Sequence, residues 1–279
     1  MKKNHPIQIL AGQYPQLCLP IMTDARNTPE YQDSVLRGLP VNREPDFSFS
    51  DEDELKKEST PVGDIEVLFL AVREDFIHAY RALAYRCEPA EIPDSVGAGI
   101  VSGLINWKKI HDHMDAFQAD DEEAWDAEFS LFTSVKSNYL DSIILLSSGN
   151  YSNIPAGMVG LGEKEWKEKS FIIRKYHEMT HFICRTLYPE DIEPIRDEVI
   201  ADMVGLLKAF GEYDTDLART FFGIEGESFR EGGRLAHYTK DDEDISTVMA
   251  RTKGLIAEYA EKIRGREQED VFSLLVSLF

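Results

Sequence analysis

Residues 174–185 read RKYHEMTHFICR and place His177, Glu178 and His181 in the pattern H-E-x-x-H. The surrounding stretch 163–187 has helical periodicity and ends just before Pro189. Side chains four residues apart lie one above the other on the same face of an α-helix. The two histidines can therefore offer two imidazole nitrogens to one metal ion, while Glu178 is rotated to the side and can reach a water molecule there. Because two histidines can also fall four apart by chance, the interpretation depends on a third ligand.

A second helical segment, PIRDEVIADMVGLLKAF (residues 194–210), supplies a candidate for that ligand. Glu198 and Asp202 are four apart and share a face, together with Ala201 and Gly205. This face carries no Lys or Arg, which a solvated face usually has, and its small residues allow a neighbouring helix to come close. A catalytic zinc site needs three protein ligands and leaves a fourth position for water. We therefore expect Glu198 to join the two histidines.

The pattern H-E-x-x-H followed by E-x-x-x-D resembles that of the gluzincin metallopeptidases, and the resemblance covers about residues 163–210. It implies one Zn²⁺ per chain, with His177, His181 and Glu198 as its ligands. It also implies that Glu178 is the general base and that Asp202 is the carboxylate that orients a ligand histidine. The expected fold is α+β and predominantly α, zincin-like, with the active-site helix packed against the second ligand helix and with a small edge sheet.

The resemblance implies a zinc-dependent hydrolase, most specifically a peptidase. Zinc lowers the pKa of its bound water to about 7, and Glu178 takes the proton and delivers it to the leaving amine. A tetrahedral oxyanion needs a further donor, for which the segment FREGGRLAHYT offers Arg234, His237 and Tyr238. Tyr238 is favoured, because a phenol is a neutral donor at neutral pH, although structural roles remain open for all three. The run SIILLSS (residues 142–148) is expected to be a strand, either structural or paired with an extended substrate.

Two other interpretations stay open. The chain could be a degenerate zincin that binds zinc and serves as a scaffold for partners through its acidic surface, although a scaffold has no need of Glu178. It could also be a di-iron helical bundle, but such a site needs a second E-x-x-H, which this sequence lacks. One residue departs from the extended zincin pattern, which prefers an uncharged residue two positions before the first histidine, where this chain has Lys175.

The distribution of proline suggests a division of the chain after residue 62. Residues 1–62 hold seven of the twelve prolines and are expected to form an extended arm, with a short strand at Ile7–Leu10 and a surface loop at 47–60. Residues 63–279 are expected to form a mainly helical catalytic domain. The predicted helices cover 65–87, 96–114, 122–137, 163–187, 191–210, 214–222, 241–264 and 267–278.

Composition limits the partners. With 51 acidic and 30 basic residues the formal net charge is −21, which disfavours binding to nucleic acid. No run approaches the roughly 18 apolar residues of a membrane span, and the three cysteines form no C-x-x-C pair. We therefore expect an acidic cytoplasmic protein that acts on a peptide or protein substrate.

Overall fold

The computed structural model describes residues 5–118, 120–188, 192–231, 233–239 and 243–279. The chain divides into two compact units. Unit 1 comprises Met1–Lys56, Glu66–Ile92 and Ile100–Leu145, and unit 2 comprises Lys57–Ile65, Pro93–Gly99 and Leu146–Phe279. The predicted α+β class is confirmed, because helices predominate beside a four-stranded sheet in the described part of the chain.

The N-terminal segment is folded and is not the extended arm that its prolines suggested. Its helices are α1 (Pro6–Ala11) and α2 (Pro29–Tyr31), and the expected strand at Ile7–Leu10 lies inside α1. Proline occupies the first position of both helices, where its missing N–H costs nothing and its fixed φ favours the helix. Ile7 and Leu10, three apart on α1, are fully buried in the core of unit 1. The predicted boundary after residue 62 therefore does not coincide with the observed division into units.

The main sheet contains β1 (Glu54–Thr60), β2 (Gly63–Leu70), β3 (Ala98–Ile105) and β4 (Leu140–Ser147) in the order β1-β2-β4-β3. Three helices lie between its strands along the chain: α3 (Arg73–Leu83) follows β2, and α4 (Trp107–Phe117) and α5 (Glu122–Ser134) follow β3. The predictions of one helix over 65–87, one over 96–114 and a loop over 47–60 were wrong, because β2, β3 and β1 occupy parts of them. Short apolar runs fit a buried strand as well as a helix.

The prediction of a strand at SIILLSS is confirmed by β4. Its suggested pairing with substrate is wrong, because β4 lies between β2 and β3 and both of its edges are taken. An extended peptide can add only to an edge strand, and β1 and β3 are the edges of this sheet.

Unit 2 is built on five helices of the described chain: α6 (Glu163–Leu187), α7 (Pro194–Phe210), α8 (Thr215–Phe222), α9 (Ile245–Ile263) and α10 (Val271–Val276). A two-stranded antiparallel sheet, β5 (Ile224–Glu225) with β6 (Ser228–Phe229), follows α8. The bounds of these helices agree with the predicted ones to within a few residues. Residues 191, 241 and 242, which were also predicted to be helical, lie outside the described residues. Within the described residues, no helix is both long and apolar enough to cross a membrane.

Helices α6 and α7 form the most extensively packed pair of elements in unit 2. Their closeness depends on Gly205 of α7, where a Cβ atom would stand 2.9 Å from the carbonyl oxygen of Ile173 and 3.0 Å from its Cγ2. Ala201, on the same side of α7, is fully buried. The small residues on this face of α7 thus leave room for the backbone of α6, which brings the two candidate ligand helices together.

Candidate metal centre

The three predicted zinc ligands meet where α6 lies against α7. The Nε2 atoms of His177 and His181 are 3.0 Å apart. Each also lies 3.5 Å from a carboxylate oxygen of Glu198, His177 from Oε2 and His181 from Oε1. One donor atom from each of the three residues can be chosen so that all lie within 4.8 Å of one another. Both histidines are buried, and the Glu198 side chain is 15% exposed.

The outer nitrogens of both histidines face carboxylates. Nδ1 of His177 lies 3.0 Å from Oδ1 of Asp202, and Nδ1 of His181 lies 2.8 Å from Oδ2 of Asp197. When each Nδ1–H donates to its carboxylate, the neutral imidazole carries its lone pair on Nε2. The two lone pairs then face each other at 3.0 Å beside the carboxylate of Glu198. Such an arrangement is repulsive without a cation among the three groups, so the donor set fits a metal ion.

The electrostatics of the site also favour a positive charge among the ligands. Burial alone would lower the pKa of His181, but hydrogen bonds with Asp197 and Glu198 outweigh burial and raise that pKa to about 10. Burial would raise the pKa of Glu198, yet the hydrogen bond with His181 and the charges of His177 and Arg234 hold it well below its usual range. A proton on His181 thus satisfies, in part, a requirement that a divalent cation would satisfy more fully.

Asp202 is the centre of a buried network behind His177. Tyr151 donates its hydroxyl hydrogen to Oδ1 of Asp202 at 2.5 Å, and its oxygen lies 2.9 Å from Nδ1 of His177. The guanidinium of Arg234 pairs with Oδ2 of Asp202 and donates to the Tyr151 hydroxyl at 2.9 Å. Arg234 also lies over the ring of Phe222, 4.7 Å from its centroid. Asp202 therefore has the contact that an orienting carboxylate needs, and it is itself held by two side chains.

The three predicted oxyanion donors occupy different environments on the segment after Gly233. Tyr238 is half-buried; burial, with the nearby charge of Glu198, raises its pKa so that it keeps its proton. Arg234 lies 4.0 Å from Oε2 of Glu198, but its guanidinium is engaged by Asp202. His237 is exposed. Of the three, Tyr238 combines a protonated hydroxyl with a position near a candidate ligand.

Glu178 follows His177 on α6 and is buried, with 8% of its surface exposed. Among the residues that the structure describes, it has no hydrogen bond or ion pair. The carboxylate is not among the enclosed polar atoms that lack a partner, so it remains able to take a water molecule or a ligand as its partner. Lys175, by contrast, is occupied: its Nζ pairs with Oε1 of Glu58 at 2.8 Å and lies over the ring of Tyr176.

Two residues that contact the ligands are absent from the sequence prediction. Asp197, the partner of His181, directly precedes Glu198, and an acidic residue next to a candidate ligand was a usable signal. Tyr151 lies on a 3₁₀ turn (Tyr151–Asn153) after β4, where Ser152 and Asn153 have φ of 49° and 55°. Its position depends on this left-handed loop, so no local pattern in the sequence marks it.

Comparison with protein families gives a match over residues 1–274 to a family described as "Family of unknown function (DUF7005)". The chain belongs to this family. Comparison with curated proteins and with solved structures gives no match. The description of the family specifies no chemistry, so an inference about function has to start from the geometry of the site.

Proposed function

We propose that the chain is a zinc-dependent hydrolase that cleaves peptide bonds. The observation that carries this proposal is the convergence of the two histidine Nε2 atoms on Glu198 while both Nδ1 atoms are engaged by carboxylates. Two histidines and one glutamate are a ligand set of catalytic zinc sites, which keep a fourth position open. Structural zinc sites usually have four protein ligands rich in cysteine; Cys184 on α6 is buried, and burial raises its pKa to about 12, which disfavours the thiolate that binds metal.

Zinc held by His177, His181 and Glu198 supplies a Lewis acid that makes water acidic enough to be deprotonated at a pH of about 7. Glu178 takes the proton from the attacking water and delivers it to the leaving amine. Its carboxylate is available for this work because no described side chain or backbone group occupies it. Tyr238 keeps its proton and donates a hydrogen bond to the developing oxyanion.

The test measures metal content and hydrolysis on the same preparations. Elemental analysis is expected to find about one zinc per chain, whereas iron would favour the di-iron alternative. In a peptide-library assay, Glu178→Gln should lower kcat by at least about 10²-fold and retain its zinc. Glu165→Gln, on the exposed side of the same helix, is the matched control and should keep full activity.

Full hydrolysis by the Glu178→Gln variant would refute the assignment of the general base and, with it, the peptidase proposal. A different result separates the alternative function: bound zinc combined with no cleavage of any peptide in the library would favour a degenerate zincin that serves as a scaffold.

A further inference from the structure

Unit 1 contains a pocket that is unrelated to the histidine site. It is formed by Gln16, the segment 26–36, the end of α3 with the residues that follow it (83–86) and the strand β3. Its volume is about 390 Å³, and pockets for small molecules usually measure about 300–1,000 Å³. All of its lining residues belong to unit 1 and to the described part of the chain.

The charge of this pocket is opposite to that of the whole chain. Acidic residues outnumber basic ones 51 to 30, yet the lining includes Arg26 and Arg86 and no Asp or Glu. Within the described residues, neither arginine has a carboxylate at ion-pair distance. The charge of Glu88 acts on Tyr31, and Oε2 of Glu88 accepts a hydrogen bond from the N–H of Asp24 at 3.0 Å. The pocket therefore presents two guanidinium groups without anionic partners.

Two polar side chains lie deep in the same pocket. Tyr31 is 5% exposed, and both guanidinium groups are close enough to act on its hydroxyl: burial raises the pKa of Tyr31, while the positive charges of Arg86 and Arg26 oppose that rise. Gln16 is 4% exposed, and its Oε1 has no donor among the described residues. Buried polar groups are normally hydrogen-bonded, so Oε1 of Gln16 requires a hydrogen-bond donor, which a hydroxyl or N–H of a ligand can supply.

The remaining walls are mixed: Asn27, Gln32 and Ser102 are polar, and the other side chains provide an apolar part. Val35, Leu83 and Val101 line the pocket together with Gly103 of β3. Gly103 has φ of 75°, and a Cβ atom at this position would meet nothing within 4 Å. A molecule with an anionic group at one end and an apolar body at the other matches such a pocket, because guanidinium groups bind carboxylate and phosphate through charge-assisted hydrogen bonds.

The backbone that carries Arg86 is held in an unusual conformation. Arg86 and Cys87 have φ of 55° and 66°, in the left-handed region that non-glycine residues rarely adopt. The conformation is held by the N–H of Cys87, which donates to the carbonyl of Arg81 at 3.0 Å, and by the carbonyl of Cys87, which accepts from the N–H of Met22 at 2.9 Å. Strained backbone of this kind clusters at ligand sites.

We propose that this pocket binds a small organic anion, with its carboxylate or phosphate group between Arg26 and Arg86 and its apolar body against Val35, Leu83 and Val101. The site is independent of the proposed zinc chemistry, since none of its residues belongs to the metal centre. The Tyr31 hydroxyl donates a further hydrogen bond to the anionic group, and Oε1 of Gln16 accepts one from a hydroxyl or N–H elsewhere on the ligand.

The experiment titrates the full chain with phenyl phosphate, benzoate and inorganic phosphate by isothermal calorimetry at physiological salt. Saturable binding of one phenyl phosphate or one benzoate per chain is expected, tighter than that of inorganic phosphate because of the apolar wall. The double variant Arg26→Gln/Arg86→Gln should bind at least about tenfold more weakly. Arg185 is an exposed arginine on α6 outside the pocket. Arg185→Gln is the control: it removes one positive charge where the double variant removes two, and it should bind these anions as the wild type does.

A preference for phenyl phosphate over benzoate would identify a phosphate ester as the ligand class, and the reverse preference would identify a carboxylate. Tyr31→Phe removes only a hydroxyl, so it checks the site with little risk to folding and should weaken binding several-fold. The proposal is overturned if none of the three anions binds saturably, or if the double arginine variant binds with wild-type affinity.

Discussion

Gly205 lies on α7 against the backbone of α6, and its replacement by alanine tests whether close approach of these helices builds the metal centre. An added Cβ would stand 2.9 Å from the carbonyl oxygen of Ile173, closer than a real Cβ atom approaches another heavy atom. Because the obstacle is backbone and not the end of a flexible side chain, the strain can be relieved only by moving α6 and α7 apart.

The expected change in the free energy of unfolding follows from two opposing effects. Gly→Ala inside a helix is worth about 1 kcal/mol in favour of alanine, and overpacking a filled interior costs about 1–3 kcal/mol. Gly254 in α9 is the matched control: it is helical and exposed, and a Cβ there meets nothing within 4 Å. Gly254→Ala should therefore raise the free energy of unfolding by up to about 1 kcal/mol. The free energy of unfolding of Gly205→Ala should be about 1–3 kcal/mol lower than that of Gly254→Ala.

The assay is urea unfolding of the metal-free chain, followed by far-UV circular dichroism, together with a zinc titration in competition with a chelator. If the strain parts the helices, zinc binding must pull them back, and a cost of about 1.4 kcal/mol appears as a tenfold weaker affinity. Gly254→Ala should bind zinc like the wild type. The reasoning is refuted if Gly205→Ala stabilises the fold as much as Gly254→Ala and binds zinc equally well.

Three further predictions concern the surroundings of the ligands. Asp202→Asn and Asp197→Asn each remove a carboxylate that faces a ligand histidine, so each should weaken zinc binding about 10–100-fold in the same competition assay; unchanged affinity would mean that the histidines need no orientation. Lys175→Met should lower the free energy of unfolding by about 1 kcal/mol, because its half-buried pair with Glu58 is lost, without altering zinc affinity; a double-mutant cycle with Glu58→Gln measures the pair directly. Tyr238→Phe should lower kcat about 10²-fold with unchanged KM and zinc content; a change confined to KM would place Tyr238 in substrate binding instead.

The cluster of His177, His181 and Glu198 could be predicted from the sequence because much of its geometry is local. The spacing of His177 and His181 fixes their relative positions through the helix itself, and Glu198 stands in a second helix that carries Asp202 and Gly205 on the same side. The packing of α7 against α6 is the one part that is not local, and the small residues on α7 indicated it. Tyr151 could not be found in this way, because a loop conformation that no local pattern encodes brings it to Asp202.

The N-terminal half was predicted poorly for a different physical reason. The apolar run in β2 is short, and its side chains are suited equally to a strand buried on both faces and to a buried helix. The choice between them is made by partners distant in sequence, since β2 lies beside β4, which begins at residue 140. The prolines led to the wrong prediction of an extended arm because proline can begin a helix as well as end one. Pro6 and Pro29 stand at the first positions of α1 and α2.

Lys175 is the residue that departs from the extended zincin pattern, and its position keeps it away from the candidate ligands. Two residues along an α-helix correspond to a rotation of about 200°, so Lys175 lies on nearly the opposite side of α6 from His177. It pairs there with Glu58, an interaction formed on α6 away from the ligands. A hydrophobic residue at this position would serve packing and not metal binding. The charge at Lys175 is therefore a feature of how α6 contacts the end of β1, and it bears on the stability of unit 2 more than on whether the site holds zinc.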